Sequence, residues 1–477
     1  MAKKSPLCNA MKKLMTTDLV FNKELISRYD KAGPRYTSYP TAVQFNEGFT
    51  STNYVENALR TNENPIPHPL SLYFHLPFCN TVCYYCACNK IITNNRKHAA
   101  PYLKLLHQEI ELQSKLFDKD RVVNQLHWGG GTPTFISMDQ MSDLMDFTRS
   151  HFSLRDNDEG EYSIELDPRE CDAATIALLR KLGFNRVSLG VQDFEPEVQK
   201  SVNRIQSEEE TFAIIEAARN EGFKSISLDL IYGLPKRTAE SFQRTLDKVI
   251  SMQPDRLSIF NYAHMPDRFK VQKQINQSEL PDAATKLIIF QNNIDALTKA
   301  GYVYIGMDHF AKPDDELAIA QTKGVLTRNF QGYSTHGDCD IVGMGISAVS
   351  KIGDCYAQNF HAIPEYEKSI KSGTIPIFRG YKLDNDDLLR QYIITQLICH
   401  LSLKFSELEE RYMIDPTEYF YNELQALKNM QDDGLLVLDI EGITILPPGR
   451  LLVRNICMVF DKYLRQSTQE QSFSKTI

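Results

Sequence analysis

Six short runs of β-branched, aromatic and leucine residues, each followed by a helix-length segment of 3.6-residue periodicity, limit most strongly what this chain can fold into. The runs lie at 71–76, 122–128, 162–166, 186–191, 225–231 and 256–262. The periodic segments lie at 102–117, 138–152, 173–182, 208–221, 239–252 and 283–300. Lengths and periods of this kind distinguish strands from amphipathic helices. Several helical segments end in a glycine stop, as at Gly183, Gly222 and Gly301, where a left-handed residue closes the last turn. Strict β-then-α alternation predicts a parallel sheet covered by helices. Six units fall short of the eight that close a barrel of the TIM type. The expected fold class is therefore α/β, a partial, three-quarter, six-unit β/α barrel. After about residue 320 the rhythm fades. Residues 384–413 and 416–427 read as amphipathic helices and 435–446 as a hairpin, which predicts a mainly helical C-terminal domain. The expected boundaries are 1–65 for an N-terminal segment folding over the barrel mouth, 66–320 for the barrel and 321–477 for the tail.

The 477 residues, 42% of them hydrophobic and 24% charged, suffice for a large core and predict no long disordered portion. A net charge of −8 excludes a global basic field for nucleic acid or anionic lipid. The basic start has no apolar run of signal-sequence length, and no segment approaches a membrane span. These features predict a cytoplasmic protein without nucleic-acid or membrane partners. The chain is also expected to be a monomer. In a reducing compartment, clustered cysteines serve as metal ligands or catalytic groups more often than as disulfides.

Four of the ten cysteines fall within residues 79–88, directly after the first predicted strand, at Cys79, Cys83, Cys86 and Cys88. The other six, Cys8, Cys171, Cys339, Cys355, Cys399 and Cys457, are scattered as small buried hydrophobes would be. Structural zinc sites draw ligands from two separated knuckles, and no second pair stands at that distance here. A cubane iron–sulfur cluster is wider, so one loop can wrap three of its corners and leave one iron open. Ligand geometry favours that cluster over zinc, which stays as the competing reading. The other strand ends are also polar. They carry Gly129-Gly130-Gly131-Thr132, Glu165 with Asp167, Gln192 with Asp193, Asp229, and Asn261 with Tyr262. In β/α barrels the carboxyl ends of strands converge on one site.

The C-x3-C-x2-C spacing with Tyr85 before the third cysteine resembles the signature of the radical S-adenosylmethionine enzymes. Cys88 narrows the likeness further. So do Arg35-Tyr36-Thr37-Ser38-Tyr39-Pro40, His127-Trp128-Gly129-Gly130-Gly131-Thr132-Pro133-Thr134, Glu165-Leu166-Asp167-Pro168-Arg169-Glu170, Val202-Asn203-Arg204 and Asp229-Leu230-Ile231-Tyr232-Gly233-Leu234-Pro235. Together they resemble the oxygen-independent coproporphyrinogen III oxidase family nearly end to end. The resemblance implies oxidative decarboxylation of two propionates of coproporphyrinogen III to vinyls, without molecular oxygen. It implies Cys79, Cys83 and Cys86 as ligands of a [4Fe–4S] cluster, with Cys88 outside the ligand set. It further implies contacts to two S-adenosylmethionine molecules from Tyr73, Tyr85, Gly130, Gly131, Thr132, Glu165, Gln192, Arg204, Asp229, Ala263 and Val349. An electron donor and an electron acceptor are implied as partners. Arg35 is the candidate contact to the anionic porphyrinogen. The alternative is a haem-binding chaperone of the same superfamily, whose members typically carry an aromatic where Cys88 stands and lack the RYTSYP stretch.

Overall fold

The computed structural model describes residues 19–466, 473 and 475. They gather into two compact units, one from 44–286 and 338–383, the other from 19–43, 287–337 and the chain from 384 onward. This division follows contact in space and crosses the linear boundaries at 65 and 320, because strands late in the chain return to an early sheet.

Six strands of the larger unit follow one another in parallel. They are β1 (Leu70–Leu76), β2 (Val122–Gly130), β3 (Glu161–Leu166), β4 (Arg186–Gln192), β5 (Ser225–Tyr232) and β6 (Arg256–Asn261). Each pairs in parallel with the next in chain order, the winding of a β/α barrel. The connecting helices are α1 (Ala99–Ser114), α2 (Met138–His151), α3 (Ala173–Lys181), α4 (Glu208–Asn220) and α5 (Ala239–Ser251). Capping boxes at Ser137, Ser207 and Thr238 start three of them, satisfying backbone N–H groups that the first turn leaves free.

Alternate strand residues make two different faces. One is apolar and buried: Leu72, Phe74, Trp128, Ile164, Leu189 and Leu228 are all fully enclosed. Trp128 meets Phe184 edge-on, with ring centroids 4.9 Å apart. The other face carries His127, Ser163, Glu165, Ser188, Gly190 and Asp229, small or polar groups that hydrogen-bond to one another. The apolar face makes the core; the polar face is left for chemistry.

The fading of strand rhythm after residue 320 is corrected by the structure. Strand β7 (Asp340–Met344) pairs in parallel with the free side of β1, and β8 (Val349–Ile352), β9 (Cys355–Asn359) and β10 (Ile377–Lys382) continue the sheet antiparallel. Tight turns join β7 to β8 and β8 to β9 with no helix between, so the periodicity that signals a βα unit is missing there. Glu109 on α1 anchors this extension. Its buried carboxyl accepts from the Gly345 N–H at 2.7 Å, the Asn359 amide at 2.7 Å and the Tyr366 hydroxyl at 2.5 Å.

The smaller unit is mainly helical, as expected. Helices Asn385–His400, Phe405–Tyr412 and Tyr421–Asp432 pack Leu389, Ile393, Leu397, Leu408 and Leu427 into one core. The expected hairpin forms within a three-stranded antiparallel sheet of Ser402–Lys404, Gly442–Ile445 and Leu436–Leu438. Tyr36 and Tyr39 of the RYTSYP stretch are buried in this core, and the Tyr36 hydroxyl donates to Asp461 at 3.0 Å. No helix of the described residues is long and apolar enough to cross a membrane.

Candidate active site

At the carboxyl ends of the parallel strands lies a cavity of about 250 Å³ whose lining includes all four clustered cysteines. The loop that carries them is closed like a clasp: Phe78–Cys79 pairs in parallel with Ile91–Ile92, and the Thr93 N–H donates to Cys79 O at 2.9 Å. Neighbouring loops pin its middle. Tyr84 N–H donates to Val202 O at 3.0 Å, the Asn203 amide to Val82 O at 2.8 Å, and the buried Gln272 amide to Tyr85 O at 3.1 Å. Backbone held at this many points presents its thiols in fixed directions.

Among the described residues, no three of the four clustered thiols lie within 4.8 Å of one another. One tetrahedral zinc with bonds of about 2.3 Å would gather its sulfurs more tightly than that. Several thiolate donors on one loop lining one cavity are the donor set that a cubane cluster takes. Cys86 is shifted down in pKa, chiefly by the hydrogen bond from the Cys88 thiol and further by the Lys90 ammonium. Cys88 is shifted up as the donor of that bond. Burial pushes Cys79 up to about 11, against a hydrogen bond from Thr132, whose hydroxyl stands 3.6 Å from the sulfur.

The glycines of the β2 end act through the protein's own packing. Gly130 has φ +116°, and a Cβ there would meet the His75 ring at 2.7 Å. At Gly131 a Cβ would strike the Pro77 and Phe78 carbonyl oxygens at 2.7 Å, while its N–H donates to Leu76 O at 2.8 Å. These contacts lock β2 against the root of the cysteine loop. Gly131→Ala is expected to cost about 1–3 kcal/mol as overpacking and to displace Cys79. Denaturation midpoint and iron content after anaerobic reconstitution check this; if neither changes, the packing argument fails.

Glu165 shows how the polar face is wired. Its carboxylate accepts from the Gly130 N–H at 3.1 Å and faces His127 Nε2 at 3.4 Å. Ser163 Oγ lies 2.6 Å from His127 Nδ1, and the Tyr73 ring stacks on the imidazole at a centroid distance of 5.8 Å. Burial would raise the Glu165 pKa, but the His127 hydrogen bond and charge more than offset it, so the carboxyl sits below its ordinary value. Asp229 differs. Burial pushes it up to about 6, the Glu165 charge adds to this, and hydrogen bonds from Ser258 and Ser188 oppose it.

Of the eleven positions implied for S-adenosylmethionine, eight line the cavity: Tyr85, Gly130, Gly131, Thr132, Glu165, Gln192, Arg204 and Asp229. Tyr73, Ala263 and Val349 lie outside that lining. Tyr73 supports His127 from below, Ala263 offers its carbonyl to Gln272 at 3.3 Å, and Val349 opens β8 opposite Gln358. Arg35 pairs with Asp308 within the smaller unit. Of the scattered cysteines, Cys339, Cys355, Cys399 and Cys457 are buried, Cys171 is half-buried and Cys8 lies outside the described residues. Sequence reasoning passed over Arg169, Lys90, His127, Asn203 and Gln272 as site residues. Arg169, His127 and Asn203 stand inside stretches already singled out, and that proximity was the available signal. Gln272 has none, since the partner that ties it to the cysteine loop, Tyr85, lies 187 residues away.

The Radical SAM superfamily model matches residues 73–249 and the HemN C-terminal domain model residues 383–452. Oxygen-independent coproporphyrinogen III oxidase of Pseudomonas aeruginosa is 55% identical over 463 residues, covering 97% of this chain and all of that protein. The enzyme of the same name from Escherichia coli is 49% identical, over 95% of this chain and 98% of its own length. The solved structure of Escherichia coli coproporphyrinogen III oxidase (HemN), described as a radical SAM enzyme, superposes with a TM-score of 0.88 at 48% identity, covering 94% of this chain and 100% of that one. These names agree with the enzyme rather than the haem-chaperone alternative, and the chain belongs to the family of oxygen-independent coproporphyrinogen III oxidases, radical SAM enzymes.

Proposed function

We propose that this chain converts two propionate side chains of coproporphyrinogen III to vinyl groups, giving protoporphyrinogen IX. The observation that carries the reading is the single cavity in which spread cysteine thiols face Glu165, Gln192, Arg204 and Asp229. Cys79, Cys83 and Cys86 would hold the [4Fe–4S] cluster, and Cys88, a hydrogen-bond donor to Cys86, would stay outside the ligand set. When bound, the reduced cluster with S-adenosylmethionine supplies a carbon-centred radical strong enough to take hydrogen from an unactivated propionate carbon, a step no side-chain acid or base performs. Each propionate then loses that hydrogen atom, carbon dioxide as its C–C bond breaks, and one electron to an external acceptor, and a C=C bond forms.

The residues supply binding and orientation. Glu165 and Asp229 accept hydrogen bonds from ribose hydroxyls or an ammonium group, and Arg204 holds carboxylate or sulfur acceptors. Ala263 and Val349, outside the lining of this cavity, find their role in contacting a second S-adenosylmethionine. Arg35, paired with Asp308, is the proposed contact to a substrate carboxylate. The protein works as a cytoplasmic monomer with a reductant and an electron acceptor as partners; the free thiols of all nine described cysteines suit a reducing compartment.

Anaerobic turnover of coproporphyrinogen III with a reductant and S-adenosylmethionine tests the reading. Stoichiometric release of carbon dioxide with 5′-deoxyadenosine supports it, whereas a brown, cluster-loaded protein that leaves the porphyrinogen intact but retains haem favours the carrier. A pH dependence follows from Asp229. The carboxyl is ionised above about pH 6 and protonated below, so affinity for the cationic cofactor is expected to fall about tenfold for one pH unit below that value. Glu165, held below its ordinary range, stays ionised through this window. Equilibrium dialysis against pH checks the expectation, and Asp229→Asn should flatten the profile.

A further inference from the structure

Two guanidinium groups converge on one of the three cluster cysteines, and only one of them belongs to the cofactor positions already described. After β3, the turn Pro168–Glu170 is capped by Asp167, which accepts the Arg169 N–H at 3.1 Å. The same carboxylate receives Arg169 Nε at 3.0 Å and Nη2 at 2.7 Å, and Arg204 Nη1 at 2.9 Å. Arg204 Nη1 also stands 3.6 Å from Cys83 Sγ, and Arg169 Nη2 stands 3.9 Å from it. Asp167 thus braces both arginines against one sulfur.

The other two cysteines are served differently. Cys79 receives a neutral hydroxyl from Thr132, and Cys86 is served by the Lys90 ammonium, whose charge also reaches its thiol while it donates to the backbone oxygens of Cys86 at 3.1 Å and Cys88 at 3.4 Å. Two positive charges and one negative leave a net charge of about +1 beside Cys83. The three side chains are only 18%, 8% and 9% exposed for Arg169, Arg204 and Asp167, so salt screens this charge poorly.

Hydrogen bonds to the sulfurs and local net charge set the reduction potential of an iron–sulfur cluster. Positive charge at a thiolate ligand stabilises the reduced, more negative state and raises the potential. We propose that Arg169, braced by Asp167, is a positioning residue that tunes the cluster through the Cys83 sulfur, easing its one-electron reduction by the external donor. Arg204 also serves the cofactor; Arg169 is the member of the pair dedicated to the cluster.

The inference rests on the cluster reading, and its test separates the two. Wild type and Arg169→Gln are reconstituted anaerobically, iron and sulfide are counted, and the midpoint potential is followed by EPR during a potentiometric titration. The expected result is full loading with a midpoint shifted to lower potential in R169Q, and a smaller shift of the same sign in Arg169→Lys, which keeps the charge without the fork. Full loading with an unchanged or raised midpoint overturns the inference while the cluster reading stands. Failure of the wild type itself to take up iron and sulfide overturns the cluster reading instead. Should R169Q not load, Arg169→Met is titrated under the same criterion, and failure of both variants to load makes Arg169 a structural residue and overturns the tuning role.

Discussion

The Cys83→Ser protein is expected to fold, to bind little or no iron after anaerobic reconstitution, and to lose turnover to background. The fall is on the order of 10⁶-fold or more, the low end of enzymatic rate enhancements, because the chemistry resides in the cofactor. The backbone around the site should not collapse. The loop is held by main-chain hydrogen bonds to Val202 and by side-chain amides of Asn203 and Gln272, none of which uses the sulfur. A hydroxyl replaces the thiol at little change in volume, and Arg169 and Arg204 keep their mutual brace on Asp167. Iron analysis, visible absorption and anaerobic turnover make the measurement. A Cys83→Ser protein with full iron and wild-type turnover contradicts the ligand set. Cys88→Ser provides the contrast: under the proposed ligand set it should leave iron loading intact.

Asp340→Ala is expected to lower the unfolding free energy by about 3–5 kcal/mol, the cost of leaving a buried charge without its partner. Asp340 on β7 pairs with Arg121 at 2.6 Å, with side chains only 2% and 1% exposed. The Arg121 guanidinium has neutral partners as well. It donates to His68 O at 2.8 Å, to Thr61 Oγ1 at 2.8 Å and to Asn62 Oδ1 at 3.1 Å. The other Asp340 oxygen accepts the Gly353 N–H at 2.8 Å. The pair therefore ties the approach to β1, the start of β2 and the late strand β7 into one joint. Denaturant midpoints of wild type and variant, read on protein without cofactor so that ligand binding does not contribute, decide the matter. A loss below about 1 kcal/mol would place this pair with exposed ion pairs. Replacing both partners by apolar residues of similar volume should recover much of the loss, because no uncompensated charge remains.

Much of the barrel is legible in local pattern. The helix expected at 138–152 forms at Met138–His151 and that at 208–221 at Glu208–Asn220, because capping boxes and a 3.6-residue period act within a dozen residues. The cysteine loop and the GGGT turn announce themselves for the same reason. Strands β7 to β9 stay hidden, since short strands joined by tight turns with no helix between carry no βα rhythm. Why Gly131 must be glycine is also hidden: the obstruction is the backbone of residues 77 and 78, brought there by strand pairing.

By itself the sequence determined the six-unit winding and the parallel strands, since these follow from periodicity and capping among near neighbours, and it carries the spacing of Cys79, Cys83 and Cys86 directly. Only the tertiary structure decided which residues surround the sulfurs and what extends the sheet beyond β1. Arg204 lies 121 residues from Cys83 and Asp340 lies 219 from Arg121. Charge and desolvation act through space, and the distances through which they act exist only once the chain has folded.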